Sequence, residues 1–183
     1  MGELEILQKL AQLLKTFHVP YLLTGGYAVT YYGEPRATND IDFLIEITKE
    51  NKKALSQILR SLGSGYIFDK NSINSIADQR TEFNAVHEET GIKIDFWIIP
   101  HPDFAVQYKR RMTKKISGEF ISLTSPEDLI LTKLSRCKQI FSERHFRDCV
   151  GIWHLQGDKL DKNYLKTEAI KRNIMDLLVD ISQ

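Results

Sequence analysis

Two aspartates one residue apart, Asp40 and Asp42, follow a double glycine, Gly25-Gly26, within a stretch that reads YLLTGGYAVTYYGEPRATNDIDFLIEI from Tyr21 to Ile47. Carboxylates that share one face of a strand repel each other and lose hydration, so clustering them gains nothing unless a cation sits between them. Magnesium is the natural guest, because it takes hard oxygen ligands, keeps several waters and commonly joins one or two carboxylates to substrate phosphates. Manganese can take its place. The double glycine supplies the complement: a strand-to-helix turn without side chains lets a phosphate approach backbone N–H groups at the positive end of a helix. Together these features describe a metal–triphosphate site. Taken singly, a D-x-D pair also fits an exposed strand end and a G-G pair a plain turn; the ordered combination carries the specificity.

The elements that must position these residues follow from local pattern. Tyr21 to Thr24 is a short apolar run ended by glycines, which predicts a buried strand turning into a helix over about Tyr27 to Tyr32. Gly33 is placed to end that helix in the left-handed conformation, and Pro35 prevents its resumption. A second strand begins near Asp40; its alternation sets Ile41, Phe43, Ile45 and Ile47 on one face and Asp40 and Asp42 on the other. Helical spacing predicts an opening helix over about Glu3 to Phe17 and another from Lys49 to Leu62, ended by Gly63. Tyr66 to Phe68 reads as a short edge strand and Asn71 to Asp78 as a short helix or loop. Thr81 to His87 and Ile92 to Ile99 form a hairpin about the turn Glu89-Thr90-Gly91. In its second arm a lone acid, Asp95, shares a face with Lys93 and Trp97.

Beyond this, Phe104 to Met112 predicts a short helix, and strand pieces follow at Lys114 to Ser117 and Phe120 to Leu123. Ser125 to Ile140 is a well-punctuated helix, with Ser125 as N-cap, Pro126 at the first helical position, and Glu127 and Asp128 complementing the dipole. Helices at about Ser142 to Leu155 and Asp161 to Ile181, the latter broken near Asn173, complete the chain. The texture changes near Thr124 from mixed to all-helical, which divides the chain into 1–124 and 125–183.

At 183 residues and 42% hydrophobic, the chain is long enough for a globular core. A formal net charge of +1 excludes a global field announcing nucleic acid or an anionic membrane. The densest local patch is Lys109, Arg110, Arg111, Lys114 and Lys115, which reads first as a solvated face, although a phosphate-backbone contact would look the same. No apolar run approaches the roughly 20 residues needed to span a bilayer, and Glu3 and Glu5 stand where a signal peptide wants basic residues, so the expectation is a cytoplasmic protein without membrane contact. Cys137 and Cys149 read as reduced packing thiols; with His145 and His154 they lack the spacing of a zinc site. Trp97 and Trp153 read as core or pocket walls, and Tyr27, Tyr31 and Tyr32 as candidates to border a nucleobase.

The order G-G, helix, then a strand bearing D-x-D resembles the signature of the DNA polymerase β-like nucleotidyltransferase superfamily. The run Arg36-x-Thr38-x-Asp40-Ile41-Asp42 is similar to its small bacterial branch. Ser125-Pro126-Glu127-Asp128-Leu129, Thr132-Lys133-Leu134 and Arg144-His145-Phe146-Arg147-Asp148 resemble the second half of AbiEii-type members. The resemblance implies an α+β fold: a minimal core with a mixed sheet flanked by helices, followed by a helical subdomain that closes the cleft. It implies transfer of a nucleoside monophosphate from an NTP to an acceptor hydroxyl with release of pyrophosphate. Asp40, Asp42 and Asp95 would be the catalytic and metal-binding acids, with Gly25, Gly26, Arg36, Lys133 and Asp148 about the nucleotide. Acceptors among such relatives are tRNA ends, proteins, and aminoglycoside or lincosamide drugs. A non-catalytic nucleotide-binding component of a toxin–antitoxin pair, with an antitoxin partner, is the contrasting reading.

Overall fold

The computed structural model describes residues 2–48, 50–69 and 82–183. Along them run α1 (Glu3–Thr16), β1 (Tyr21–Thr24), α2 (Gly25–Tyr32), β2 (Asp40–Ile45), α3 (Lys52–Leu62), β3 (Tyr66–Ile67), β4 (Glu82–His87) and β5 (Lys93–Ile98). There follow α4 (His101–Arg110), β6 (Met112–Ile116), β7 (Glu119–Leu123), α5 (Pro126–Gln139), α6 (Glu143–Gln156), α7 (Lys162–Lys171) and α8 (Met175–Asp180). The strands form one seven-stranded sheet in the order β3-β4-β5-β2-β1-β7-β6. β2 pairs antiparallel with β1 and parallel with β5, which makes the sheet mixed. The fold is α+β.

Period-two burial explains why the sheet has two different faces. Ile41, Phe43 and Ile45 are fully buried in the main core, as the alternation of β2 requires. Beneath the acids the same face carries an aromatic ladder, Phe83–Phe96–Phe43–Tyr21, with ring centroids 5.2, 5.7 and 5.6 Å apart. Such contacts between neighbouring strands stabilise by about 0.5–1.5 kcal/mol each beyond area burial. On the opposite face Leu22 and Leu44 form a second, smaller cluster with Phe104 of α4, flanked by Trp97, Ile99 and Tyr108. The acid-bearing face is therefore roofed at one end by α4.

The main core draws Leu129, Ile130, Leu131 and Leu134 from α5 and Cys149 and Ile152 from α6, so the helical half shares its packing with the sheet. Ser125 caps α5 as its sequence predicts: its Oγ accepts from the Asp128 N–H at 3.1 Å. The tail is broken at Asn173, which takes a positive φ of 54° between α7 and α8. Tyr66–Ile67 is an edge strand, and Gly91 takes a φ of 70° in the hairpin turn. The predicted segment Asn71 to Asp78 lies outside the described residues.

Two expectations are corrected. α2 begins at Gly25 rather than Tyr27, so the glycines are its first turn and not a loop before it. Gly33 ends α2 with extended backbone, φ −119° and ψ −150°, not left-handed. Its requirement for glycine is instead one of approach: a Cβ there would lie 3.1 Å from Ile152 Cγ1 and 3.2 Å from the Ile152 nitrogen of α6.

Candidate active site

One rung of the sheet collects the chemistry. Thr24 pairs with Asp42, Asp42 with Asp95, and Asp95 with Asn84, so four polar residues stand side by side across β1, β2, β5 and β4. Asp40 lies two residues before Asp42 on the same face, opposite Lys93. Asp40 and Asp42 are half-buried and Asp95 is buried at 9% exposure. The spacing that suggested two same-face carboxylates therefore brings them to a third on the adjacent parallel strand.

α2 starts where β1 ends, directly beside this rung. Gly25, its first residue, has φ +62°, a conformation that glycine enters without steric cost. The space a side chain would take at Gly25 is filled by the Asp42 carboxylate. At Gly26 it is filled by Thr38, whose Oγ1 would lie 2.3 Å from a Cβ and which donates to the Asp40 carbonyl at 3.3 Å. The double glycine thus has a packing cause: it lets the loop carrying Thr38 and the strand carrying Asp42 close on the helix N-terminus.

Two of the acids have partners. Lys93 Nζ lies 2.8 Å from Asp95 Oδ1 and 3.0 Å from Oδ2. Trp97 Nε1–H donates to Asp42 Oδ1 at 3.1 Å. Burial pushes the Asp95 carboxyl above its ordinary range, Lys93 opposes this, and Asp42 and Asp40 add to the rise. The Lys93 ammonium is held above its usual value by the hydrogen bond to Asp95, against burial, with the charges of Asp95, Asp40 and Asp42 contributing. Among the described residues no three His, Cys, Asp or Glu side chains are gathered as a metal-holding group. The donor set nevertheless fits a hard divalent cation: three carboxylates on neighbouring positions of one face, with a lysine ammonium already drawn into their common field.

Arg36, Lys133 and Asp148 meet at a second point. Asp148 on α6 accepts from Arg36 Nε at 2.8 Å, from Arg36 Nη2 at 3.0 Å and from Lys133 Nζ at 2.8 Å. Asp148 and Lys133 are both nearly inaccessible. Burial raises the Asp148 carboxyl, but the hydrogen bonds and charges of Arg36 and Lys133 outweigh it and hold the group below the ordinary range. His145 Nδ1 stands 3.4 Å from Lys133 Nζ, and burial together with the Lys133 charge lowers the imidazole below its usual value. A neutral His145 suits a place beside an ammonium. The sequence supplied the three charged residues but not this contact, since helical spacing alone does not bring His145 to Lys133.

The family described as nucleotidyl transferase AbiEii toxin, Type IV toxin–antitoxin system, matches residues 8–175. The chain belongs to the AbiEii nucleotidyltransferase family. No curated protein sequence matches it. Among solved structures, ANT(2")-Ia in complex with adenylyl-2"-tobramycin superposes with a TM-score of 0.64 at 13% identity, covering 94% of this chain and 98% of that one. The lincosamide antibiotic adenylyltransferase LnuA, lincomycin-bound, gives 0.56 at 18% identity, covering 83% and 96%. An antigenic nucleotidyltransferase-like protein from Paracoccidioides brasiliensis gives 0.57 at 18%, covering 98% and 92%. At these identities the likeness establishes the fold. By family and fold the AbiEii chain is a nucleotidyltransferase.

The basic patch of this AbiEii chain is only partly free. Arg110 is drawn inward: it lies 3.3 Å from Glu127, 3.7 Å from both Asp128 and Asp161, and its Cζ is 3.6 Å from the centre of the Tyr164 ring. It joins α4 to the helical half and is not a spare surface charge. Arg111 is stacked on Tyr108 at 4.1 Å. Lys109, Lys114 and Lys159 line a cleft of about 850 Å³ together with Tyr31 and with the paired Arg110 and Glu127. Of the three tyrosines considered for a nucleobase, Tyr32 is buried and Tyr27 packs on the core, while Tyr31 remains exposed. Both cysteines are buried and donate to backbone carbonyls, Cys137 to Ser142 and Cys149 to Ile130. Among the described residues no helix is long and apolar enough to cross a membrane.

Proposed function

We propose that the chain transfers a nucleoside monophosphate from an NTP to an acceptor hydroxyl, releasing pyrophosphate, at the rung of Asp42 and Asp95. The observation that carries this is the paired register of those two acids, with Asp40 beside them, at the N-terminus of α2. Asp40, Asp42 and Asp95 would hold magnesium, or manganese in its place. Such an ion neutralises charge on the phosphates and fixes their orientation. Gly25 and Gly26 let Asp42 and Thr38 close on the first turn of α2, whose N–H groups would meet phosphate oxygens.

In the transfer the acceptor oxygen bonds to the α-phosphorus as the bond from that phosphorus to the bridging oxygen of the β-phosphate breaks. The electron pair leaves with pyrophosphate, and Asp95 either takes the hydroxyl proton as base or helps hold a second metal beside Asp40 and Asp42. Arg36, Lys133 and Asp148 form the charged wall around the nucleotide, with Asp148 orienting Lys133. Residues 125–183 act as the subdomain that closes the cleft over residues 1–124.

The acceptor we assign is RNA, with tRNA the first candidate. The support is the cleft with Lys109, Lys114, Lys159 and Tyr31, which suits a backbone of phosphates and repels a cationic aminoglycoside. The family's description as a toxin of a Type IV system supports an antitoxin partner and action in the cytoplasm. Incubation with each labelled NTP and magnesium against total tRNA, cell protein and a drug panel tests this. Label on tRNA is expected; label on a drug or on protein replaces the acceptor, and no transfer to any class removes the enzymatic reading of this site.

A further inference from the structure

The two cations that the sequence pointed to for the nucleotide share one carboxylate. Arg36 gives two donors to Asp148, and Lys133 gives its ammonium to the same carboxylate. Arg136, one turn further along α5 from Lys133, stands differently. It is exposed, and among the described residues no carboxylate pairs with it. Its Cζ lies 4.7 Å from the centre of the Trp97 ring. Trp97 in turn donates its indole N–H to Asp42 at 3.1 Å. Guanidinium, indole and acid form a continuous run from the helical half to the centre of the sheet.

A guanidinium laid on an aromatic face keeps its in-plane N–H donors available, and those donors match two oxygens of a phosphate at once. Trp97 links the arginine to Asp42, touching the one with its ring and the other with its N–H. We propose that Arg136 grips the β- and γ-phosphate oxygens of the NTP, with Trp97 as the positioning residue between it and Asp42. This rests on the reading of the acid rung as an NTP site. When the bond between the α-phosphorus and the bridging oxygen breaks, the electron pair stays on pyrophosphate. Arg136 then meets that added charge without having to move, which favours the transition state over the bound ground state.

Calorimetry with ATP, ADP and AMP in magnesium, on wild type and on Arg136→Gln, Arg136→Lys and Trp97→Phe, decides this. Arg136→Gln should weaken ATP by about tenfold and AMP by less than about twofold, because only the outer phosphates lose a bidentate partner. Arg136→Lys should restore part of the loss, since an ammonium keeps the charge but not the planar fork. Trp97→Phe keeps a ring but loses the N–H to Asp42, so it should fall between them. Other nucleotides replace ATP if wild type prefers another base. Arg136→Gln binding the triphosphate as tightly as wild type, or losing AMP equally, rejects the assignment while leaving the NTP site in place. A wild-type protein that binds no triphosphate overturns the NTP reading and this inference together.

Discussion

A Cβ added to Gly25 would lie 1.8 Å from Asp42 Oδ2. The Asp42 carboxylate therefore fills the space a side chain at Gly25 would take, which couples the helix start to the position of the acid. Gly25→Ala should displace Asp42, and the left-handed backbone adds about 1–2 kcal/mol of strain. Metal-dependent NTP binding by calorimetry is expected to fall at least about tenfold in a variant that remains folded by circular dichroism. Wild-type affinity in that folded variant would show that Asp42 need not stand where it does.

Lys93 sits against the Asp95 carboxylate. Lys93→Met should therefore tighten binding of manganese alone, read by electron paramagnetic resonance, while Asp42→Asn should weaken it and leave the fold intact. Equal manganese affinity in wild type and Lys93→Met would show that the ammonium does not compete for the acids.

Asp148 is the one carboxylate between two cations in the cluster with Arg36 and Lys133. Asp148→Asn should cost about 3 kcal/mol at neutral pH, because it leaves a buried ammonium and a guanidinium without countercharge. Its carboxyl is lowered in the folded state, so its contribution is complete above the ordinary carboxylate range and is lost as pH falls below that range, through the lowered folded value. The stability gap between wild type and variant, followed by urea unfolding, should shrink as the solution becomes acid. A gap that widens in acid would contradict the assignment of the charge to Asp148.

The acceptor cleft yields a salt test. If RNA binds there, affinity should fall with salt by about 0.7–0.9 logarithmic units per phosphate contact. Replacing Lys109, Lys114 and Lys159 together with Gln should flatten that slope without changing metal-dependent NTP binding. Arg110 is left out of the set because its contacts with Glu127, Asp128 and Asp161 hold the two halves together. An unchanged slope would move RNA elsewhere on the surface or remove it as the acceptor.

What the chain disclosed in advance follows from which forces are local. The alternation of Ile41, Phe43 and Ile45 against Asp40 and Asp42 is a property of one strand, and the cap at Ser125 is a property of one turn, so both were legible. That Asp42 stands opposite Asp95, 53 positions further on, depends on two strands choosing one parallel register, which local pattern does not fix. Gly33 was read by habit of helix ends, whereas its cause is the approach of Ile152 from the far half of the chain. Arg110 looked like its basic neighbours because its acidic partners lie on α5 and before α7. Arg136 on α5 gave no local sign at all, since its stacking partner Trp97 belongs to β5.

The sheet order has a consequence for the timescale on which the site holds together. β2 is the middle strand of seven, and β5 lies beside it with β4 beyond, so both acid-bearing strands are hydrogen-bonded along two edges. Backbone amides of that kind open only with the largest excursions a fold makes, while edge strands such as β3 and β6 exchange first. The peripheral parts can breathe or be reshaped by a partner while the amides of Asp42 and Asp95 remain among the last in the molecule to take up deuterium.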